Sequence, residues 1–284
     1  PDPCAVTDAS REITGGLPYP VQAFDAPSAA ARPDLSGTSC ATLLPSANLV
    51  PGTDIVVVRR AATDVVLPGT ATVANAVYLQ ANPVEAEVQF GDGAPLGASH
   101  TAAGAPASIR ARDGSSGAEV RRLLVHVYFV APCSRPAGGG ATCTGASDDG
   151  GRPIPTLKRL ELSASAGVTT LRVVPLAEGI ASLQVDYGLD NSPAVVNAFT
   201  GLKGDGSPDT YVRAPTAAQM PDIVAARIHV LARAAEPGLA ADTAKTYDMG
   251  LSGTVGPFND RIKRHLYVNV VRVVNPGGRR EIPQ

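Results

Sequence analysis

Apolar and polar residues alternate with a two-residue beat through much of this chain, most clearly in IVAARIHVLARA. There Val224, Ala226, Ile228, Val230 and Ala232 fall on one face and Arg227, His229 and Arg233 on the other. This is the pattern of a half-buried antiparallel strand, whereas a helix would scatter the arginines into the core. The same beat runs through RRLLVHVYFVA (Arg121 to Ala131) and ASLQVDYG (Ala181 to Gly188), where Leu183, Val185 and Tyr187 oppose Gln184 and Asp186. DIVVVRR (Asp54 to Arg60) is a β-branched run ended by charge, and NAVYLQA and AEVQFGDG also have strand length. TLKRLELSASAGVTTLRVVPL reads as two strands joined around SAGV, a hairpin signal.

DRIKRHLYVNVVRVVNPGGRR (Asp260 to Arg280) places basic residues beside a tyrosine and a run of valines. A groove that tracks phosphates needs basic and aromatic side chains repeating along one face. Here that face holds Val and Asn, Arg272 is the single interior charge, and Arg261, Lys263 and Arg264 precede the apolar part. The segment is therefore expected to be a central or near-central strand, stopped by NPGG. Before Leu49, Pro3, Pro18, Pro20, Pro27, Pro33 and Pro45 interrupt every period. Residues 1–50 are expected to form a Pro- and Gly-rich arm on a β-rich head of residues 51–284, together one structural domain.

Composition narrows the classes. A chain of 284 residues can bury a large core, as one β domain or two smaller ones. The formal charge of −2 supplies no global field to attract a polyanion, so no nucleic-acid partner is expected. Arg outnumbers Lys 20 to 4 amid abundant Ala and Gly, which reads as codon bias of a GC-rich genome. Trp is absent, Phe and Tyr total 12, and Gly and Pro total 54. The expected class is mainly β: antiparallel sheets, sandwich-like, with few short helices. The longest apolar stretches fall short of the roughly 18 residues of a membrane helix, and no charged segment followed by an apolar one starts at Pro1.

Cys4, Cys40, Cys133 and Cys143 are even in number, with no C-x-x-C and no histidine at metal spacing. Disulfides outside the cytoplasm are expected rather than reduced thiols. Of three connectivities, 4–40 with 133–143 is preferred, because the second pair brackets the flexible SRPAGGGAT. The longer loop would gain about 3–4 kcal/mol in the chain-entropy model.

No catalytic motif is present: there is no G-x-S-x-G, H-E-x-x-H or G-x-x-x-x-G-K-[ST], and His100, His126, His229 and His265 lie far apart. GDGAPLG (Gly91 to Gly97) is interrupted by Pro95 and followed by no helical pattern. No enzyme activity, cofactor or small-molecule substrate is expected. The one candidate for a metal is calcium at Asp190, Asn191, Asp205 and Asp209, hard oxygen ligands around the bend at Gly206. SPAVVNAFTGLK interrupts that run and no bidentate Glu follows at the right spacing, so the alternative is a solvated loop whose Asp and Gly residues serve turns.

The order of PTLKRLEL (Pro155 to Leu162), PLAEGIASLQVDYGLD (Pro175 to Asp190), GDGSPDTYV (Gly204 to Val212), DIVAARIHVLARAAEP (Asp222 to Pro237), KTYDMG (Lys245 to Gly250) and DRIKRHLYVNVVRVVNPGGRRE (Asp260 to Glu281) resembles the C-terminal region of PilW-type minor pilins of type IV pili. GTDIVVVRRA and VHVYFVAPC are similar to that family's upstream pattern, so spaced blocks cover about Pro51 to Glu281. J-type pseudopilins of type II secretion share the architecture. The resemblance implies a β-rich pilin head that follows a truncated N-terminal helix, an inner-membrane helix in the full-length form that packs into the fibre core. It implies export, first to the inner membrane facing the periplasm and then to the fibre at the cell surface. The implied partners are other minor pilins and a tip adhesin, and the implied role is to prime assembly and form the tip complex. The alternative is a secreted carbohydrate-binding or adhesin-like β-sandwich, against which the absence of Trp counts, and an extracellular hydrolase ranks third.

Overall fold

The computed structural model describes residues 1–8, 12–67, 70–82, 86–94, 109, 118–192, 204–241 and 243–280. Among them, β1 (Val21–Phe24), β2 (Ile55–Val65), β3 (Val77–Ala81), β4 (Ala86–Phe90), β5 (Val120–Ala131), β6 (Thr156–Ser165) and β7 (Val168–Glu178) form one sheet. β5 is its spine. It carries β2 along one edge, β3 beside its first residues and β6 beside its last on the other. β8 (Ile180–Leu189), β9 (Thr210–Val212) and β10 (Ile223–Arg233) belong to a second sheet. The short β11 (Tyr247–Asp248) and β12 (Thr254–Val255) pair with each other, and β13 (Arg264–Arg272) completes the second sheet in the order β13-β10-β8-β9. All the pairings are antiparallel. The helices α1 (Cys40–Leu43) and α2 (Val274–Arg280) are short. The mainly antiparallel β class expected from the alternation is the observed one.

The alternation in β5 shows how the layers form. Leu123, Val125, Val127, Phe129 and Ala131 share one face and join a core with Ile55, Val57, Leu160 and Leu162. Residues from the first fifty, including Ile13, Leu35, Leu44, Leu49 and the Cys4–Cys40 disulfide, cover that face. On the opposite face Val130 meets Val21, Leu183, Val185, Tyr187 and Ile223, so a second core lies between the sheets. Burial of each such side chain stabilises by about 1.5–3 kcal/mol before entropy is subtracted. The β6–β7 turn places Ala166 at φ 49° and Gly167 at φ 72°, the left-handed pair that a two-residue hairpin needs.

Asp54 joins the sheets just before β2. Its N–H donates to the Leu183 carbonyl at 2.9 Å, and its carboxylate accepts the N–H groups of Ala26 and Val185 at 3.0 and 2.9 Å. Burial pushes this carboxyl up to about 7, against the pull of the two N–H donors.

Three local expectations change. The proline-rich arm contributes a strand, since β1 pairs with β2 from Val21↔Val58 to Phe24↔Ile55. The polar faces of β8 and β10 are only partly solvated: Gln184, Asp186 and His229 are buried under the β11–β12 segment, while Arg227 and Arg233 stay partly exposed. The apolar run at 264–272 is an edge strand rather than a central one, bonded to β10 alone among the described strands.

Candidate functional site

β13 forms because Leu266, Val268 and Val270 alternate with Tyr267, Asn269 and Val271, β-branched and aromatic residues that suit a pleated surface. It pairs with β10 over nine residues, from Ala225↔Arg272 to Arg233↔Arg264. Paired residues share a face. Val268 and Val270 therefore lie beside His229 and Arg227, and Tyr267 and Val271 beside Val230 and Ala226. Both faces are open: Tyr267 is 58%, Val268 52%, Val270 54% and Val271 44% exposed. Val274, at the start of α2, continues the apolar surface.

Only the first end of β13 is covered. Arg264 is held by Asp260 through two hydrogen bonds of 2.7 and 2.8 Å, and its guanidinium lies 3.9 Å from the centre of the Phe258 ring. The Arg264 guanidinium holds the Asp260 carboxyl down to about 2. Tyr247 donates its hydroxyl to the Arg264 carbonyl at 3.2 Å. Arg261 and Lys263, just before the strand, are exposed, so the entrance to the edge is basic.

A buried carboxylate–histidine pair lies one strand inward. His229 Nε2 is 3.2 Å from Asp186 Oδ2, and Leu251 N–H reaches Asp186 Oδ1 at 3.2 Å. Gly250, at φ 69°, passes so close that a Cβ there would collide with Asp186 and His229. The Ser252 hydroxyl bonds Gln184 rather than the imidazole, so Ser252, His229 and Asp186 do not form a Ser–His–Asp relay. With Leu231, Tyr247 and Met249 packed alongside, the pair fastens the β11–β12 segment to the sheet.

The calcium candidates serve loop geometry where they are described. Asp190 Oδ2 accepts the Gly206 N–H at 2.8 Å and stands 3.8 Å from Arg280 Nη1. Asp209 Oδ2 accepts the Asn191 N–H at 2.7 Å, the Asn191 amide reaches Thr210 Oγ1, and Asp205 accepts the Ser207 N–H. Residues 193–203 of the intervening stretch, His100 and residues 95–97 of GDGAPLG lie outside the described residues. His126 touches Tyr128 and His265 touches Tyr267.

The cysteines form Cys4–Cys40 and Cys133–Cys143, with Cα separations of 5.1 and 5.8 Å. Among the described residues, the two places where three potential metal ligands converge each contain a disulfide's two sulfurs, which cannot act as thiolates. Beside the second bridge, Asp148 accepts N–H groups of Ala137, Thr144 and Gly145. The Ala137 N–H foremost, with the other donors, holds its carboxyl well below the usual range. Neither this cluster nor the partly open β13 edge carries a sequence motif; the apolar run signalled the strand and not its place at the edge.

Residues 143–275, just under half of the chain, match the family model described as Type IV Pilus-assembly protein W, PilW. β13 lies inside the matched region. No curated protein and no solved structure matches the chain. The match does not support the carbohydrate-binding or adhesin-like reading.

Proposed function

We propose that the chain, whose residues 143–275 match the PilW family of type IV pilus assembly, is an exported minor-pilin head, structural rather than catalytic in character, that helps prime assembly and joins the pilus tip complex by protein–protein docking. Its partners are other minor pilins and the tip adhesin. In the full-length form an inner-membrane helix carries the head at the periplasmic face before assembly and joins the fibre core afterwards. No described helix is long and apolar enough to cross a membrane.

The observation that carries the reading is the stretch Tyr267 to Val271 of β13, inside the PilW-matched region, which exposes apolar side chains on both faces. Soluble monomers rarely leave such contiguous apolar surface uncovered. Recognition works by shape: the ladder with β10 and the Asp260–Arg264 pair hold β13 in place, and a neighbouring head buries it. Pull-down of the purified head with candidate minor pilins, alongside pilus counts in cells complemented with Tyr267→Ala/Val271→Asp, tests this. Loss of both capture and pili is expected. Full capture and normal piliation by the double variant would overturn the assignment of docking to β13.

A further inference from the structure

The hydrogen-bonding phase of β13 tells which of its backbone groups await a partner. Ala234 N–H donates to the Lys263 carbonyl at 2.8 Å, and Val273 N–H to the Val224 carbonyl at 2.8 Å, so residues 263 and 273 turn inward to their neighbours on the β10 side. In an antiparallel ladder alternate residues turn the same way. Tyr267, Asn269 and Val271 therefore bond to β10, while Leu266, Val268 and Val270 direct their N–H and C=O outward along the edge. Natural edges are usually blunted by an inward charge, a proline or a bulge. β13 has none of these between His265 and Val271, and its register with β10 is unbroken.

We infer that this edge is completed by strand addition, the occupant being an extended segment of a different protein that is apolar in its middle and acidic at its ends. The inference rests on the docking reading and specifies its chemistry. A helix laid on the sheet would cover one face and leave the outward N–H and C=O groups unpaired. An added strand bonds those groups and brings its own side chains beside Val268 and Val270 on one face and Tyr267 and Val271 on the other. Charge then separates a foreign strand from a second copy of this chain. Antiparallel self-pairing centred on Val268 would set Arg264 of each copy opposite Arg272 of the other, with Lys263 and Arg261 just beyond, like charge against like. A segment flanked by Asp or Glu meets the same basic ends favourably.

Hydrogen exchange, read by amide-resolved NMR, tests the mode directly. The probes are a synthetic peptide as long as β13, alternating valine and threonine with paired glutamates at each end, and its lysine-ended counterpart. Addition of the glutamate-ended peptide is expected to slow exchange of the Val268 and Val270 amides by about tenfold or more and leave those of Tyr267 and Asn269, already bonded to β10, nearly unchanged. The lysine-ended peptide should bind at least about tenfold more weakly in low salt. Val270→Pro removes an outward donor while keeping the β10 ladder, and Val270→Lys places a charge beside the edge; with melting temperatures near wild type, both should abolish the protection.

If the head captures candidate minor pilins while Val268 and Val270 stay unprotected and Val270→Pro binds normally, strand addition is wrong and the docking reading survives. If no pilin is captured, the docking reading itself fails. Concentration-dependent self-association that Val270→Pro abolishes would assign the edge to a second copy and overturn the foreign, acidic-ended partner.

Discussion

β10 and β13 are paired neighbours with the same apolar alternation, yet one is enclosed and the other open. Leu231 on β10 is 1% exposed, and the residue paired with it, Leu266, is half-buried. Two positions further along β13, Val268 is half in solvent although its partner His229 is enclosed. β10 has β8 on its other side, the first sheet over one face and the β11–β12 segment over the other. Beyond Leu266, β13 extends past these covers. A run of valines therefore reports that a strand forms, while its position in the sheet decides whether the strand is core or contact surface.

The largest test of that contrast is Leu231→Ala. It empties a site enclosed by Tyr247 and Met249, so urea unfolding should show a loss of about 2–5 kcal/mol.

Next in size is the pH dependence set by Asp54, which ties β8 to the first sheet. Its folded value, raised from 3.8 to about 7, means that the protonated form is favoured by folding. That contribution is complete below about pH 4 and is lost as pH rises to about 7, a change of roughly 4 kcal/mol at 1.36 kcal/mol per unit. Urea midpoints measured from pH 4 to 8 should fall along that window, and Asp54→Asn should flatten the slope. An unchanged slope would mean that other groups set it.

Gly250→Ala should cost about 1–3 kcal/mol, because it adds a Cβ against Asp186 and His229 at a positive φ. It should also loosen the cover on β10, visible as faster exchange of the Leu251 amide that Asp186 holds. By contrast Val268→Ala on β13 should change stability by about 0.5 kcal/mol or less, as a surface substitution does. A larger loss would mean that β13 supports the fold as well as docking. Calcium should have the smallest effect, since Asp190 and Asp209 already accept N–H donors. Millimolar calcium should shift melting by about a degree or less. A rise of several degrees that Asp209→Asn abolishes would establish the calcium site.

Legibility followed the range of the forces involved. The hairpin at Ala166 and Gly167, the strand of alternating residues from Leu123 to Ala131 and the mainly β class depend on neighbours in sequence, and these were readable. The Asp186–His229 pair was not, because its residues alternate as solvent-facing polar positions do; a segment some twenty residues beyond β10 covers them. The edge at β13 was read as interior for the converse reason, since nothing in LYVNVV records whether a second strand lies beside it. β1 escaped notice because four residues between prolines leave too short a period to see.

By itself, then, the amino-acid order determined where the chain extends, where it turns and which side chains alternate, because steric preference and pleat act over a few residues. Tertiary structure alone decided which alternating faces were covered and which strand was left at the margin. Burial and hydrogen-bond completion depend on segments far away in the chain, and the surface offered to a partner is what those segments leave uncovered.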